Sequence, residues 1–342
     1  MTVEKNLPNK KDISSDEGDD LAWAWSNFWQ DDNLSACTPD DKTTDALLQQ
    51  EWRSFFSSLN DKASILDLGT GNGALAVMAV SAETQETGNS RSFDVHGCDL
   101  AAIEPGLYVR SNVEDLAQIQ FHAETAMEKL PFGDESFDAV CGQYALEYSD
   151  VSESVPELMR VLRSGGSLQF LLHDRAGTLH QRNQLQWRQA QALLRSELFA
   201  GTRNMLTAVV AGESASHSGT LEEGMRAITA LKEIMDRLAK EFSHETDRVL
   251  PQSVFGAISR LAPLRHNRDV PQLLSMVDDI EQRMHAQSAR LRAMLDAALD
   301  VGSLQRLSAL LTSARAEDVR TRPAMAGTHN TPVGFWLSAT KK

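Results

Sequence analysis

The sequence predicts an α/β fold with a mostly parallel sheet and helices on both faces, and three observations carry that prediction. Short apolar runs that read as buried strands alternate with segments of helical periodicity. The first run, Ile65, Leu66 and Leu68, stops abruptly at Gly69, Gly71 and Gly73, and the alanine-rich segment Ala74 to Ala82 follows as a helix. A second run, Phe93 to Asp99, ends in a carboxylate. A strand, a glycine turn and a helix start make a cradle for a nucleotide-like cofactor. Bare glycines let a ligand lie on the backbone, and the helix N-terminus favours polar or anionic groups.

Composition narrows the class of partner. A chain of 342 residues suits one core domain with a large addition. A net charge of -15 argues against nucleic acid or an anionic membrane as partner and leaves small molecules or proteins. Cys37, Cys98 and Cys141 are few, odd in number and far apart, so they read as buried, inert thiols and imply neither disulfides nor zinc. The remaining histidines lack metal spacing, so no metal is implied. No apolar run approaches the roughly 20 residues that cross a bilayer, and a cytoplasmic enzyme is expected.

Residues 1–20 are polar and end in Asp16-Glu-Gly-Asp-Asp20, which predicts a flexible acidic tail. Trp25, Phe28 and Trp29 lie at helical spacing in the following segment, which either staples to the core or lids the cleft. Thr43 to Leu59, with Leu47, Trp52, Phe55 and Phe56, reads as an amphipathic helix entering the first strand. Glu83 to Ser92 is a polar loop. Asp99, at the end of the second strand, stands where a carboxylate accepts hydrogen bonds from both ribose hydroxyls; a plain helix cap is the other reading. Ile119 to Ala123 is a third strand, Ala139 to Gln143 a fourth and Ser167 to Leu172 a fifth. Val155 to Leu162 is the helix before the fifth.

Spacing decides between cofactors. The dinucleotide fingerprint needs G-x-G-x-x-G, but Ala74 stands where its third glycine belongs, and no lysine follows Gly73 as a P-loop requires. Asp67-Leu-Gly-Thr-Gly-Asn-Gly73 instead resembles the first motif of the class I S-adenosylmethionine-dependent methyltransferases, of the type 11-like kind. Leu130-Pro-Phe-Gly-Asp-Glu-Ser-Phe-Asp138 is similar to the family's segment between the third and fourth strands. Arg160-Val-Leu-Arg-Ser-Gly-Gly-Ser-Leu168 resembles its turn into the fifth.

The resemblance covers residues 60–175 and implies a Rossmann-like, seven-stranded, mostly parallel sheet that closes with an antiparallel strand, Val333 to Thr340, after a weaker one near Glu317 to Arg322. It implies S-adenosylmethionine as cofactor, held by Asp67, Gly69, Thr70, Gly71, Asn72, Gly73, Asp99 and Leu100, with Met127 and Gln143 beside them. One departure stands out: Ala126 occupies the place where the family often has an aspartate on the adenine amino group. Adenine contacts then fall to Met127, Glu124 or the backbone. No Asn/Asp-Pro-Pro-Tyr/Phe motif follows the fourth strand, which disfavours methylation of nucleic-acid bases.

Residues 176–315 are far more than one sheet crossover needs and read as a helical insert. Leu179 to Phe199, Leu221 to Phe242, Val270 to Leu299 and Ser303 to Ser313 have helical spacing, with the break Gly212 to Thr220 and Pro251, Pro263 and Pro271 as punctuation. Its arginines suit either an anionic acceptor or surface pairing. Val277, Ile280, Met284, Leu291, Met294 and Leu295 form either an internal seam or a homodimer interface. His173, expected to face the cleft with Asp174, is the candidate general base, against a purely structural role. Tyr144 is a second catalytic candidate, open like Tyr148 between site and core. The expected division is a tail over 1–20, a core over 21–175 and 316–342, and an insert over 176–315 that roofs the acceptor site with the Trp-rich segment. The expected activity is O- or N-methylation of a small molecule, in secondary metabolism for instance. A protein or peptide methyltransferase, or a non-catalytic partner-binding relative, are the alternatives.

Overall fold

The computed structural model describes residues 17–36, 42–82, 92–214, 218–245, 247–325 and 331–342. Cys37, most of the expected tail, residues 83–91 of the polar loop and 215–217 of the break in the insert lie outside them. Helices α1 (Glu17–Trp29) and α2 (Lys42–Ser58) precede β1 (Ser64–Leu68), α3 (Ala74–Val80) and β2 (Asp94–Cys98). Two single turns, α4 (Pro105–Tyr108) and α5 (Val113–Leu116), lead to β3 (Ile119–His122), β4 (Phe137–Gln143), α6 (Val151–Val161) and β5 (Leu162–Leu172). Then come α7 (Thr178–Arg195), α8 (Leu198–Ser214), α9 (Ser218–Glu241), α10 (Val249–Ser259), α11 (Leu261–Leu264) and α12 (Val270–Ala297). The chain closes with α13 (Val301–Ser313), β6 (Ala316–Met325) and β7 (Pro332–Lys341).

The sheet runs β3-β2-β1-β4-β5-β7-β6. Its first five strands are parallel, and β7 is antiparallel to both neighbours. Strand order reverses between β1 and β4, and in such sheets ligands bind outside the carboxyl ends at that point. Alternation along β1 explains the two-sided burial: Ile65 joins Trp52, Leu75 and Trp336 on one face, while Leu66 and Leu68 join Leu158, Phe170 and Leu337 on the other. The helices after β5 enclose a third core built on Leu193, Phe199, Leu206, Leu238, Leu273 and Val277. By contrast, α13 lays Leu304, Leu307 and Leu311 on the second face of the sheet.

Several expectations change. Glu17 to Asp20 are not tail but the first turn of α1. β5 begins at Leu162, so the Arg163-Ser-Gly-Gly166 turn lies inside the strand, where the register with β4 shifts. The helix expected over Leu179 to Phe199 is two, divided where Ser196 accepts the Leu198 N–H. Pro251 marks a helix start as expected: it lies in the first turn of α10, where its missing N–H costs no helical bond. The proposed dimer seam is internal, with Val277, Met284, Leu291 and Met294 buried within the chain. Among the described residues no helix is long and apolar enough to cross a membrane.

Candidate active site

The glycine turn after β1 is left-handed at three positions, with φ of 64° at Gly69, 54° at Gly71 and 90° at Gly73. Close approach also demands glycine. A Cβ at Gly69 would lie 2.4 Å from that of Ala145. At Gly71 it would lie 2.2 Å from the Trp29 ring, and at Gly73 2.8 Å from Phe121 on β3. The first glycine thus opens the floor of the site, the second receives the Trp29 indole, and the third lets α3 pack closely on the sheet.

Hydrogen bonds fix the turn to the neighbouring strand. Thr70 donates its N–H to the Cys98 carbonyl (3.0 Å) and its hydroxyl to Asp67 (2.7 Å). Asp99 accepts the Gly71 N–H on one carboxylate oxygen (2.8 Å) and the Ala101 N–H on the other (2.9 Å). Burial pushes the Asp67 carboxyl up to about 7, helped by the nearby charge of Asp99 and opposed by the Thr70 hydroxyl and the Ala76 N–H. Asp99 is raised by burial too, against the pull of its two N–H donors. Burial also raises the Cys98 and Cys141 thiols, so both stay protonated.

Above the carboxyl ends of β1, β2 and β4 lies a cavity of about 440 Å³. Asp67, Gly69, Thr70, Asp99, Leu100, Met127, Gln143 and Tyr144 belong to its floor and walls. Trp25 and Trp29 of α1 and Leu48 and Trp52 of α2 roof it. Trp52 donates its indole N–H to Gln143 Oε1 (2.7 Å), and because an indole only donates, this bond fixes which way the amide faces. Thr125 and Ala126 also line the cavity, and the Thr125 N–H bonds the Asp99 carbonyl (2.8 Å), so the loop with the Ala126 departure closes on the same site. Glu124 is not among the lining residues.

Four expected site residues stand elsewhere. Gly71 and Gly73 are covered by Trp29 and Phe121 as described. Asn72 is buried, is not among the lining residues, and clamps the end of α1, donating to the Trp29 carbonyl (3.0 Å) and the Asn33 carbonyl (2.8 Å). His173 does not face the cavity: it is 1% exposed, and both its backbone N–H and its Nδ1 hydrogen-bond Glu147 Oε1 at 2.7 Å. The single turn Leu146–Tyr148 after β4 carries Glu147 beneath the end of β5, which draws the imidazole inward. Asp174 caps the Ala176 N–H there (2.8 Å). Tyr144 reaches the cavity wall, but its hydroxyl donates to the Val333 carbonyl (3.3 Å).

Among the described residues none of the insert lines this cavity; α12 braces α1 from behind. Arg290 lies over the Phe28 ring at 4.0 Å and the Trp25 ring at 5.3 Å, and Arg283 pairs with Asp31 at 3.1 Å. Sequence reasoning missed Asp45, Gln49, Glu128 and Ser149 as lining residues. A signal was there for two of them, since Asp45, Leu48, Gln49 and Trp52 form one i, i+3, i+4, i+7 stripe on α2.

The cradle fits the cofactor that the motifs imply, because any side chain at Gly69 would fill the floor and Asp99 stands half-buried at its edge, one oxygen held by the Gly71 N–H and the other by the Ala101 N–H. A family described as methyltransferase domain matches residues 66–170. Solved structures that the chain is similar to include the YcgJ protein from Bacillus subtilis, at 22% identity over 44% of this chain and 59% of that one, TM-score 0.30. Geranyl diphosphate C-methyltransferase from Streptomyces coelicolor A3(2) is similar at 16% identity over 47% and 65%, TM-score 0.33. A methyltransferase dependent on S-adenosylmethionine from Thermotoga maritima is similar at 11% identity over 87% and 91%, TM-score 0.37. The chain spans less than two thirds of the length of the first two. No curated protein matches it.

Proposed function

We propose, from the premise that residues 66–170 form a class I S-adenosylmethionine-dependent methyltransferase domain, that the chain transfers a methyl group to a small molecule inside the roofed cavity. The observation that carries this reading is that the glycine turn and Asp99 open onto a cavity covered by two tryptophan-bearing helices. A protein substrate would need an open cleft.

S-adenosylmethionine, when bound, supplies an electrophilic methyl group on a sulfonium. The chain's own residues then have mainly to bind, align and exclude water. Asp99 has lone pairs left for two ribose hydroxyls after its bonds to Gly71 and Ala101. Asp67, at the end of β1 and lining the cavity, is suited to the cationic end of the donor. Leu100, Ala126 and Met127 offer apolar surface for a flat ring. Gln143, immobilised by Trp52, marks the boundary between donor and acceptor. Neither His173 nor Tyr144 is retained as the base, because one is enclosed with Glu147 and the other is bonded to Val333.

Calorimetric titration of S-adenosylmethionine and S-adenosylhomocysteine into wild type and Asp99→Ala tests the reading. Saturable micromolar binding is expected, weakened about ten-fold or more in the variant, or about 1.4 kcal/mol. A folded wild type that binds neither compound would sink the enzyme reading.

A further inference from the structure

We infer that the methyl acceptor is an amine with an apolar or aromatic body, an assignment that rests on the methyltransferase reading above. The first ground is charge. Among the described residues, the ionisable ones lining the cavity are Asp45, Asp67, Asp99, Glu128 and the two tyrosines, with no lysine, arginine or histidine among them. Basic side chains near its walls are engaged outside: Arg290 on the far side of α1 and Arg283 with Asp31. A carboxylate or phosphate acceptor would have to leave water for a half-enclosed space already bearing carboxylates and offering no cation.

The second ground is the roof. Trp25 and Trp29 stack at 5.9 Å with 20° between their planes, and Tyr148 meets Trp25 edge-on at 6.1 Å. With Trp52 they surround the cavity with π surface, which binds ammonium groups and apolar bodies alike. Asp67 and Asp99 lie on the donor side of Gln143. Of the other two lining carboxylates, Glu128 accepts the Asp150 N–H at 2.8 Å, while Asp45, on the roof helix α2 and oriented by the Gln49 amide at 2.8 Å, is assigned to the acceptor.

The third ground is the base. A hydroxyl is a poor nucleophile until a base stronger than a carboxylate takes its proton, and the two candidates for that role, His173 and Tyr144, are committed elsewhere. An amine brings its own lone pair. Asp45 or water takes one proton from the bound ammonium. The nitrogen lone pair then forms the bond to the methyl carbon as the carbon–sulfur bond breaks, and that electron pair returns to sulfur to give the neutral thioether. The methylated nitrogen leaves as an ammonium or passes its extra proton to water.

The test uses the full chain saturated with S-adenosylhomocysteine and three matched sets of probes, with hexyl, phenylethyl and indolylethyl bodies, each as amine, carboxylate and alcohol. In calorimetry the amine of at least one set should bind about ten-fold or more tightly than its carboxylate and alcohol. Asp45→Asn should erase that preference while leaving the affinity for S-adenosylhomocysteine unchanged. The same amine should accept radiolabelled methyl from S-adenosylmethionine. Equal or tighter binding of the carboxylates or alcohols, an Asp45→Asn effect shared by all three head groups, or no amine binding to the loaded protein would overturn the assignment. Failure to bind S-adenosylhomocysteine at all is the different result that removes the donor site itself.

Discussion

The floor and the roof of the cavity are held in unlike ways. The floor is backbone: Gly69, Thr70 and Asp99 sit at the ends of adjacent parallel strands and are tied by bonds such as Thr70 N–H to the Cys98 carbonyl, so moving them means moving the sheet. The roof is side chains reaching across long stretches of sequence. Trp52 bonds Gln143, Asn72 holds the end of α1, and Trp29 rests on Gly71. A rigid floor beneath a pinned cover suggests that ligands are admitted by releasing α1 rather than by opening the sheet.

The strongest way to break that contrast is at Trp52, which is 1% exposed and belongs to both layers. Trp52→Ala should cost about 3–5 kcal/mol in urea unfolding. It should also weaken S-adenosylhomocysteine binding, because Gln143 loses its anchor. Unchanged affinity in the folded variant would mean that roof and floor are independent. Asn72→Ala is the sharper probe: it removes two hydrogen bonds that hold the end of α1, and Asn72 itself does not line the cavity. A loss of about 1–3 kcal/mol is expected, with faster association and dissociation of S-adenosylhomocysteine in stopped-flow traces of tryptophan fluorescence.

The smallest effect belongs to the floor alone. Asp67, pushed up to about 7, favours its protonated form in the free protein. Its contribution to stability is full below the ordinary carboxylate value near 4 and is lost as pH rises through about 7. A cationic ligand prefers the ionised form, so S-adenosylmethionine affinity should rise a few-fold from about pH 6 to about pH 8, with proton release, and Asp67→Asn should flatten the profile. Calorimetry in buffers of different ionisation enthalpy would check both.

The same contrast explains what the sequence disclosed. Floor residues follow from local grammar, because a strand that ends in glycines and a second that ends in Asp99 must deliver them side by side once the strands pair. The seven-stranded, mostly parallel sheet with an antiparallel closing strand came with the family resemblance, and the order β3-β2-β1-β4-β5-β7-β6 comes from the structure. Asn72 was misread because every residue of a glycine turn looks like a ligand contact, whereas its buried amide is taken up by the Trp29 and Asn33 carbonyls. His173 was misread because the exit of a strand usually faces the cleft, and Glu147, placed by a different loop, draws it inside. The bracing of α1 by Arg290 joins residues hundreds of positions apart in charge and aromatic surface, which no local pattern encodes.

The place of β7 bears on how the chain is made. β5 pairs with β7 from Ser167↔Thr340 to Leu172↔Phe335, and everything from α7 to β6 is translated between them. Until β7 emerges, β5 presents an open edge of unpaired backbone groups while the helices that follow it can already gather around their own core. The half-made protein is therefore a partial sheet tethered to a helical body. Its most vulnerable moment on the ribosome is the wait for a strand that both closes the sheet and, through Val333, receives the hydroxyl of Tyr144.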